Sequence, residues 1–133
     1  MTIAPEAPIT TTPRIPSLLE LEITRRCQLT CASHCYAEAG PTQGHGIMTG
    51  DDWKRVISQA AELGVKKIQC IGGEPTLHPD FVEIVEHALA EGLGVQVYSN
   101  LYRVRPEHWA LSPGPASPWR RRTTPTPTRG TTR

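Results

Sequence analysis

Hydrophobic and polar residues alternate strictly in one short stretch near the start of the chain. Between residues 17 and 24, three apolar side chains (Leu19, Leu21 and Ile23) alternate with three polar ones (Glu20, Glu22 and Thr24). A period of two is typical of a strand that buries one face and exposes the other. The pattern therefore predicts a first strand at this place.

Two helices are predicted where apolar residues recur at intervals of three and four. The first begins after the N-cap candidate Thr49 and ends at Gly64; its stripe consists of Trp53, Val56, Ile57, Ala60 and Ala61. The second begins near Pro79 and ends at Gly92; its stripe consists of Phe81, Ile84, Val85, Ala88 and Leu89. Such stripes indicate one buried helix face, so both sets are expected in the core.

Two further strands are predicted at residues 65–71 and 94–100. The resulting order of strand, helix, strand, helix, strand, with short connections, favours parallel strands in an α/β sheet or part of a barrel. In such folds the functional groups gather at the carboxyl ends of the strands. Three polar features follow the three strands, namely a cysteine-rich loop, a loop from Gly72 to Pro75, and Ser99 with Asn100. We expect them to meet at one rim.

Three of the four cysteines lie within nine residues, at Cys27, Cys31 and Cys35. Thiolates are soft ligands, which favour zinc or an iron–sulfur cluster. A zinc site needs a fourth ligand, for which the candidates are His34, His45 and His78. An iron–sulfur cube held by three cysteines instead leaves one iron free to bind a small molecule. The residues alone leave both sites open.

The cellular compartment bears on how these cysteines are interpreted. No stretch resembles a secretory signal, and no apolar run is long enough to span a bilayer, so we expect a cytoplasmic protein without a membrane partner. Thiols stay reduced there, which favours metal ligands over disulfides. The fourth cysteine, Cys70, falls inside the second strand and is expected to be a buried apolar residue.

The cysteine loop from Cys27 to Tyr36 and the Gly-Gly-Glu-Pro loop after the next strand resemble the radical S-adenosylmethionine (radical SAM) superfamily, in particular its peptide-maturase-type (SPASM-like) members. The resemblance covers about residues 17–109 and implies the first half of a partial (βα)6 barrel. It implies an enzyme that cleaves S-adenosylmethionine reductively at a [4Fe-4S] cluster, giving a 5′-deoxyadenosyl radical that abstracts hydrogen from a substrate. The implied partners are an electron donor, such as a flavodoxin or ferredoxin, and a peptide substrate.

The resemblance also implies roles for individual residues. The cluster ligands would be Cys27, Cys31 and Cys35. The cofactor-binding residues would be Gly72, Gly73, Glu74, Pro75, Tyr36, Ser99 and Asn100, with the two glycines allowing the backbone to approach the methionine amino group closely. Three residues, rather than the usual two, separate the second and third cysteines. This departure leaves open whether His34 or Tyr36 packs against the adenine, and no residue is assigned as catalytic.

The two ends of the chain differ in composition from its middle. Residues 1–16 are rich in proline and threonine and are expected to form a disordered leader, before a partial core at residues 17–110. Residues 111–133 hold five arginines, five prolines, six threonines and no acid, and a disordered basic tail is expected there. This composition is typical of GC-rich codons read in a shifted frame, so we hypothesise a frameshift and an incomplete barrel. A genuine nucleic-acid tail is disfavoured, because it lacks interleaved aromatic residues.

Two other functions remain open from the sequence. The first is a small structural zinc-binding module whose basic tail binds a partner. The second is an inactive fragment that does not fold stably.

Overall fold

The computed structural model describes residues 8, 12–31, 35, 37–111 and 119–121 of the 133-residue chain. Its elements are β1 (Leu18–Thr24), α1 (Gly50–Leu63), β2 (Lys67–Gly72), a 3-10 turn (Pro75–Leu77), α2 (Phe81–Ala90), β3 (Gly94–Ser99), α3 (Pro106–Trp109) and β4 (Trp119–Arg121). The strands form one sheet in the order β1-β2-β3-β4, and every neighbouring pair is parallel. The predicted α/β fold with alternating strands and helices is confirmed.

The ends of α1 lie where the sequence predicts them. Thr49 Oγ1 accepts a hydrogen bond from the backbone N–H of Asp52 at 3.2 Å, while the Asp52 carboxylate accepts one from the Thr49 N–H at 2.8 Å. This reciprocal capping box satisfies two N–H groups that the helix leaves unpaired. At the other end Gly64 has a φ of 96°, in the left-handed region that glycine enters at little cost.

The core lies on one face of the sheet. Leu21 and Ile23 of β1, Ile68 and Cys70 of β2, and Val97 of β3 are all buried. They pack with the stripes of the two long helices, whose buried members are Ile57, Ala60, Phe81, Ile84, Val85 and Ala88. The alternate positions of β1 are exposed glutamates. The sheet is therefore covered by helices on one side and mostly polar on the other, as period-two alternation predicts.

A short fourth strand lies within the segment that we expect to be disordered. Trp119–Arg121 pairs with β3, with Trp119 opposite Val97 and Arg121 opposite Ser99. The Trp119 side chain is buried, and its ring centroid lies 6.1 Å from that of Phe81. The structure therefore describes a short strand within the segment where a disordered tail is expected, and the bounds of that tail stay a prediction. A strand of three residues is too short to show a period, and packing of one large aromatic ring stabilises it. The rest of residues 112–133 lies outside the described chain.

The described residues at the N-terminal end of the chain have no regular secondary structure. Residues 12–16 belong to no helix or strand and are exposed, while residues 1–7 and 9–11 lie outside the described part. Within the described chain no helix is both long and apolar enough to cross a bilayer.

Candidate functional site

The cysteine loop begins where β1 ends, and it is closed at its base by backbone hydrogen bonds. The N–H of Cys27 donates to the carbonyl of Gly40 at 3.2 Å, and the N–H of Gly40 donates to the carbonyl of Arg25 at 3.2 Å. Arg26 and Gly40 thus form an isolated parallel bridge. The loop leaves the end of β1 and returns to it, which holds the cysteines at the carboxyl rim of the sheet.

The loop after β2 is attached directly to the start of the cysteine loop. The N–H of Gly73 donates to the Thr24 carbonyl and the N–H of Glu74 to the Arg26 carbonyl, both at 2.8 Å. A Cβ added at Gly72 would lie 2.3 Å from the Thr24 carbonyl oxygen, and one at Gly73 would lie 2.3 Å from that of Arg26. No side chain fits at such distances. The two glycines are therefore required by the contact between these loops, whatever ligand they also approach.

Glu74 is the buried acid of the site, with 1% of its surface exposed. One of its carboxylate oxygens, Oε2, accepts hydrogen bonds from the Ser99 hydroxyl at 2.9 Å and from the Asn100 backbone N–H at 3.0 Å. A carboxylate out of water must be compensated by such donors or by a charge. These contacts attach the loop after β2 to the end of β3.

Asn100 continues these contacts to the first cysteine. Its side-chain nitrogen, Nδ2, donates to Gln28 Oε1 at 3.1 Å and lies 3.6 Å from the sulfur of Cys27 as a hydrogen-bond donor. The three polar features that follow the strands are therefore joined by hydrogen bonds from Cys27 through Asn100 to Glu74. The predicted meeting of the three features at one rim is confirmed.

All four cysteines are free thiols, and the three clustered ones are half-buried. Cys31 and Cys35 line one shallow cleft with Glu38 and Gln43. Among the described residues, no group of three His, Cys, Asp or Glu side chains is placed to hold a single metal ion. The proposed zinc ligand His34 lies outside the described chain, as does Tyr36.

The donor set has the chemistry that an iron–sulfur cluster requires. In an iron–sulfur cube each cysteine binds a different iron, so the sulfurs need not converge on one point. Three free, partly accessible thiols on one loop, joined to a buried carboxylate, supply that chemistry. Zinc instead requires four ligands around one ion, and the candidate fourth ligand His34 lies outside the described residues.

Two histidines that were considered as ligands have other hydrogen-bond partners. The Nδ1 atom of His45 lies 2.8 Å from the Thr24 hydroxyl, and Nδ1 of His78 accepts a hydrogen bond from the Asp80 N–H at 3.0 Å. The two rings meet edge to face, with centroids 5.3 Å apart. Burial, and then the neighbouring His45, lower the pKa of His78. The ring contact therefore joins the loop between the cysteines and α1, which carries His45, to the segment before α2, which carries His78.

Cys70 lies in the core, as its position inside a predicted strand indicates. It is 1% exposed, and burial raises the pKa of its thiol to about 12. A thiol that remains protonated is a poor ligand and nucleophile. Cys70 is therefore a structural residue.

Two further residues contribute to this rim, and the sequence patterns do not indicate either of them. Thr24 ends β1, and its hydroxyl accepts a hydrogen bond from the Arg26 N–H at 3.0 Å besides contacting His45. Gln28 follows the first cysteine and binds Asn100. The alternation places Thr24 on the exposed face of β1, whereas the structure has a register irregularity between Glu22 and Thr24, and Thr24 is buried. Nothing in the sequence distinguishes Gln28 from an exposed loop residue.

Comparison with protein families and known proteins gives consistent matches. The profile described as the Radical SAM superfamily matches residues 21–111. A protein named PqqA peptide cyclase from Rhodopseudomonas palustris is 41% identical over 87 residues, which cover 65% of this chain and 22% of that protein. A protein named mycofactocin maturase MftC from Mycobacterium tuberculosis is 35% identical over 92 residues, covering 69% of this chain and 23% of that protein.

A solved structure shows the same fold. Streptococcus suis SuiB, in a crystal structure bound to its precursor peptide SuiA, matches with a TM-score of 0.64 and 21% identity. The match covers 73% of this chain and 21% of that one. The chain thus spans about a fifth of the length of the proteins it matches.

Proposed function

Because the chain belongs to the radical SAM superfamily, we propose that it binds a [4Fe-4S] cluster and S-adenosylmethionine at the carboxyl rim of its sheet. The observation that carries this proposal is the hydrogen-bonded path from Cys27 through Asn100 to Glu74. It ties a candidate cluster ligand to a candidate cofactor-binding residue at one edge of the fold. When bound, these groups supply one-electron chemistry that abstracts hydrogen from a substrate.

Each proposed residue has a separate task. Cys27, Cys31 and Cys35 hold the cluster through their thiolates, which leaves one iron without a protein ligand. Gly72, Gly73, Glu74 and Pro75 form the loop that receives the amino group of S-adenosylmethionine, with the negative charge of Glu74 favouring the ammonium. Ser99 and Asn100 hold the Glu74 carboxylate in place and line the same rim. Tyr36 is proposed to pack against the adenine.

The polar face of the sheet is the side from which we expect a substrate to approach. Glu20 and Glu22 of β1 are exposed, and Gln69 of β2 donates to Glu20 at 2.7 Å. The helices cover the opposite face only, so a substrate can approach the rim from the polar face. Additional chain in the whole protein would be needed to exclude water there.

For the whole protein we propose modification of a peptide. The support is the names of two relatives, a peptide cyclase and a maturase, and a similar fold in a structure solved with a precursor peptide. A protein named probable GTP 3′,8-cyclase, from Methanopyrus kandleri, matches over a shorter stretch, 53% of this chain. An electron donor such as a flavodoxin or ferredoxin and a cytoplasmic location complete the proposal.

Binding of S-adenosylmethionine to the anaerobically reconstituted chain tests the site. Glu74→Gln keeps the volume but removes the charge, and Glu83→Gln, which alters an exposed acid bonded to Lys54, is the matched control. Losing one charge-assisted hydrogen bond of about 1.5–3 kcal/mol predicts roughly 10- to 100-fold weaker binding for Glu74→Gln. The control should bind like the wild type. Equal affinities in both variants would contradict the assignment of Glu74.

The substrate class needs the whole protein. Mass spectrometry of reactions with short precursor peptides, alongside reactions with GTP, separates the two candidates. A peptide product that has lost hydrogen supports the proposal. Consumption of GTP with unchanged peptides would refute it.

A further inference from the structure

Every polar group of the Asn100 side chain is engaged. Its Oδ1 accepts a hydrogen bond from the Tyr102 N–H at 2.9 Å, which fixes the orientation of the amide plane. Its Nδ2 is thereby directed at the cysteine loop, where it donates to Gln28 Oε1 at 3.1 Å and to the Cys27 sulfur at 3.6 Å. Nitrogen-to-sulfur hydrogen bonds are longer than those to oxygen because sulfur is larger. The hydrogen bond to Oδ1, at one end of the amide, therefore fixes the contact of Nδ2 with Cys27 at the other end.

The backbone beside Asn100 adopts an unusual conformation that supports this orientation. Leu101 has a φ of 56°, in the left-handed region that a leucine enters at an energetic cost. Its N–H donates to the Ser99 hydroxyl at 2.9 Å, and this hydroxyl in turn donates to Glu74. The turn at Leu101 brings the Tyr102 N–H back onto Asn100. The strained turn at Leu101 thus helps to orient the side-chain amide of Asn100.

We propose that Asn100 is a positioning residue whose side-chain N–H···S hydrogen bond to Cys27 orients this ligand and raises the reduction potential of the cluster. The inference rests on the proposed cluster site. Reduction adds negative charge to the cluster and its thiolates, and a donor aimed at a ligand sulfur stabilises that charge. Neither the family match nor the names of the relatives assign this role.

The effect is specific to one of the three cysteines. Cys31 and Cys35 line the cleft on the other part of the loop, together with residues 38–43. Among the described residues, Cys27 alone of the three receives a side-chain donor from β3 or its following turn. The first ligand should therefore respond to changes at Asn100, and the other two should not.

The hydrogen bond can be tested in the cluster-free chain by NMR of the Asn100 side-chain amide. Cys27→Ala removes the acceptor, whereas Cys31→Ala is a matched loss of one thiol on the same loop. We expect the amide protons of Asn100 to shift in the first variant and to stay unchanged in the second. Equal shifts, or none in Cys27→Ala, would overturn the contact.

The effect on the cluster is tested by potentiometry of the reconstituted chain. Asn100→Ala removes the donor, and Asn100→Asp replaces it with a negative carboxylate of nearly the same shape. We expect a more negative midpoint potential in Asn100→Ala and a further negative shift in Asn100→Asp, at unchanged iron content. Gln69→Ala, which removes an amide from the polar face of the sheet, should leave the potential unchanged.

The two failures can be told apart. A wild-type potential in Asn100→Ala, with a full complement of iron, would overturn the inference and leave the cluster site intact. A wild-type chain that takes up no iron would refute the cluster site, and with it the effect on potential, while the NMR experiment would still decide whether the hydrogen bond exists. Resonance Raman spectra of the iron–thiolate stretches give a second readout, because hydrogen bonding to the sulfur shifts them.

Discussion

Replacing Gly73 with alanine tests how the two loops of the rim are joined. Gly73 lies where the loop after β2 crosses the start of the cysteine loop. A Cβ at this position would lie 2.3 Å from the carbonyl oxygen of Arg26, 2.7 Å from its carbonyl carbon and 3.0 Å from the Cβ of Ala39. The nearest atoms are backbone and cannot rotate away. The alanine must therefore push the two loops apart.

The cost can be worked out from the contacts that this movement breaks. Forcing extra atoms into a packed site costs about 1–3 kcal/mol. The displaced Arg26 carbonyl also accepts the Glu74 N–H at 2.8 Å, and losing that hydrogen bond costs about 1 kcal/mol. The free energy of unfolding should fall by about 2–4 kcal/mol, which for a domain of this size lowers the melting temperature by roughly 10 °C.

Urea and thermal unfolding, followed by circular dichroism, measure this loss. Gly44→Ala is the matched control, because an added Cβ there has no atom within 4 Å and Gly44 does not have a left-handed backbone. The control should stay within about 0.5 kcal/mol of the wild type. If Gly73→Ala unfolds at the same urea concentration as Gly44→Ala, the close approach of Gly73 to the Arg26 carbonyl does not require glycine at this position.

Three further predictions follow from burial. Iodoacetamide should modify the three clustered cysteines in the native chain but not Cys70, whose thiol has a pKa raised to about 12 by burial; labelling of Cys70 at the same rate would contradict its place in the core. Burial lowers the pKa of His78 below the ordinary value of about 6.5, so the unfolded chain gains its proton first as pH falls. The urea concentration at the unfolding midpoint should therefore fall as the pH is lowered from 7.5 to about 5.5, and it should fall less in His78→Gln. An equal fall in the wild type and the variant would exclude His78 as the source of this pH dependence. Trp119→Ala should lose about 3 kcal/mol of stability because the ring is buried, against a smaller loss for the half-exposed Trp109→Ala; no loss would place β4 outside the folded unit.

Most of the fold follows from local patterns in the sequence. The alternation in β1, the stripes of the two long helices and the stop at Gly64 each reflect interactions within a few residues, and the structure confirms them. The parallel order of the strands follows from the alternation of strands and helices. Trp119–Arg121 could not be predicted this way, because the Trp119 ring packs against Phe81, which is distant in sequence, as well as against Trp109.

The candidate site was predictable in its composition but not in its connections. The cysteine spacing and the strand ends indicate which residues share the rim. The hydrogen bonds of the Asn100 side chain do not follow, because its orientation depends on the turn at Leu101, which no propensity of leucine predicts. The resemblance likewise implies a ligand as the reason for glycine at position 73, whereas the structure gives a backbone contact with Arg26 as the immediate reason. Contacts between loops that follow different strands are long-range, and a single sequence carries no local signal for them.

The most direct test of the cluster site is the iron and sulfide content of the chain after anaerobic reconstitution. We expect roughly four iron and four sulfide per chain, with the broad visible absorption of a [4Fe-4S] cluster. Alanine at Cys27, Cys31 or Cys35 should abolish this uptake, and alanine at Cys70 should leave it intact. Stoichiometric zinc without iron in the wild type, or full iron uptake in the variants of the clustered cysteines, would contradict the cluster site.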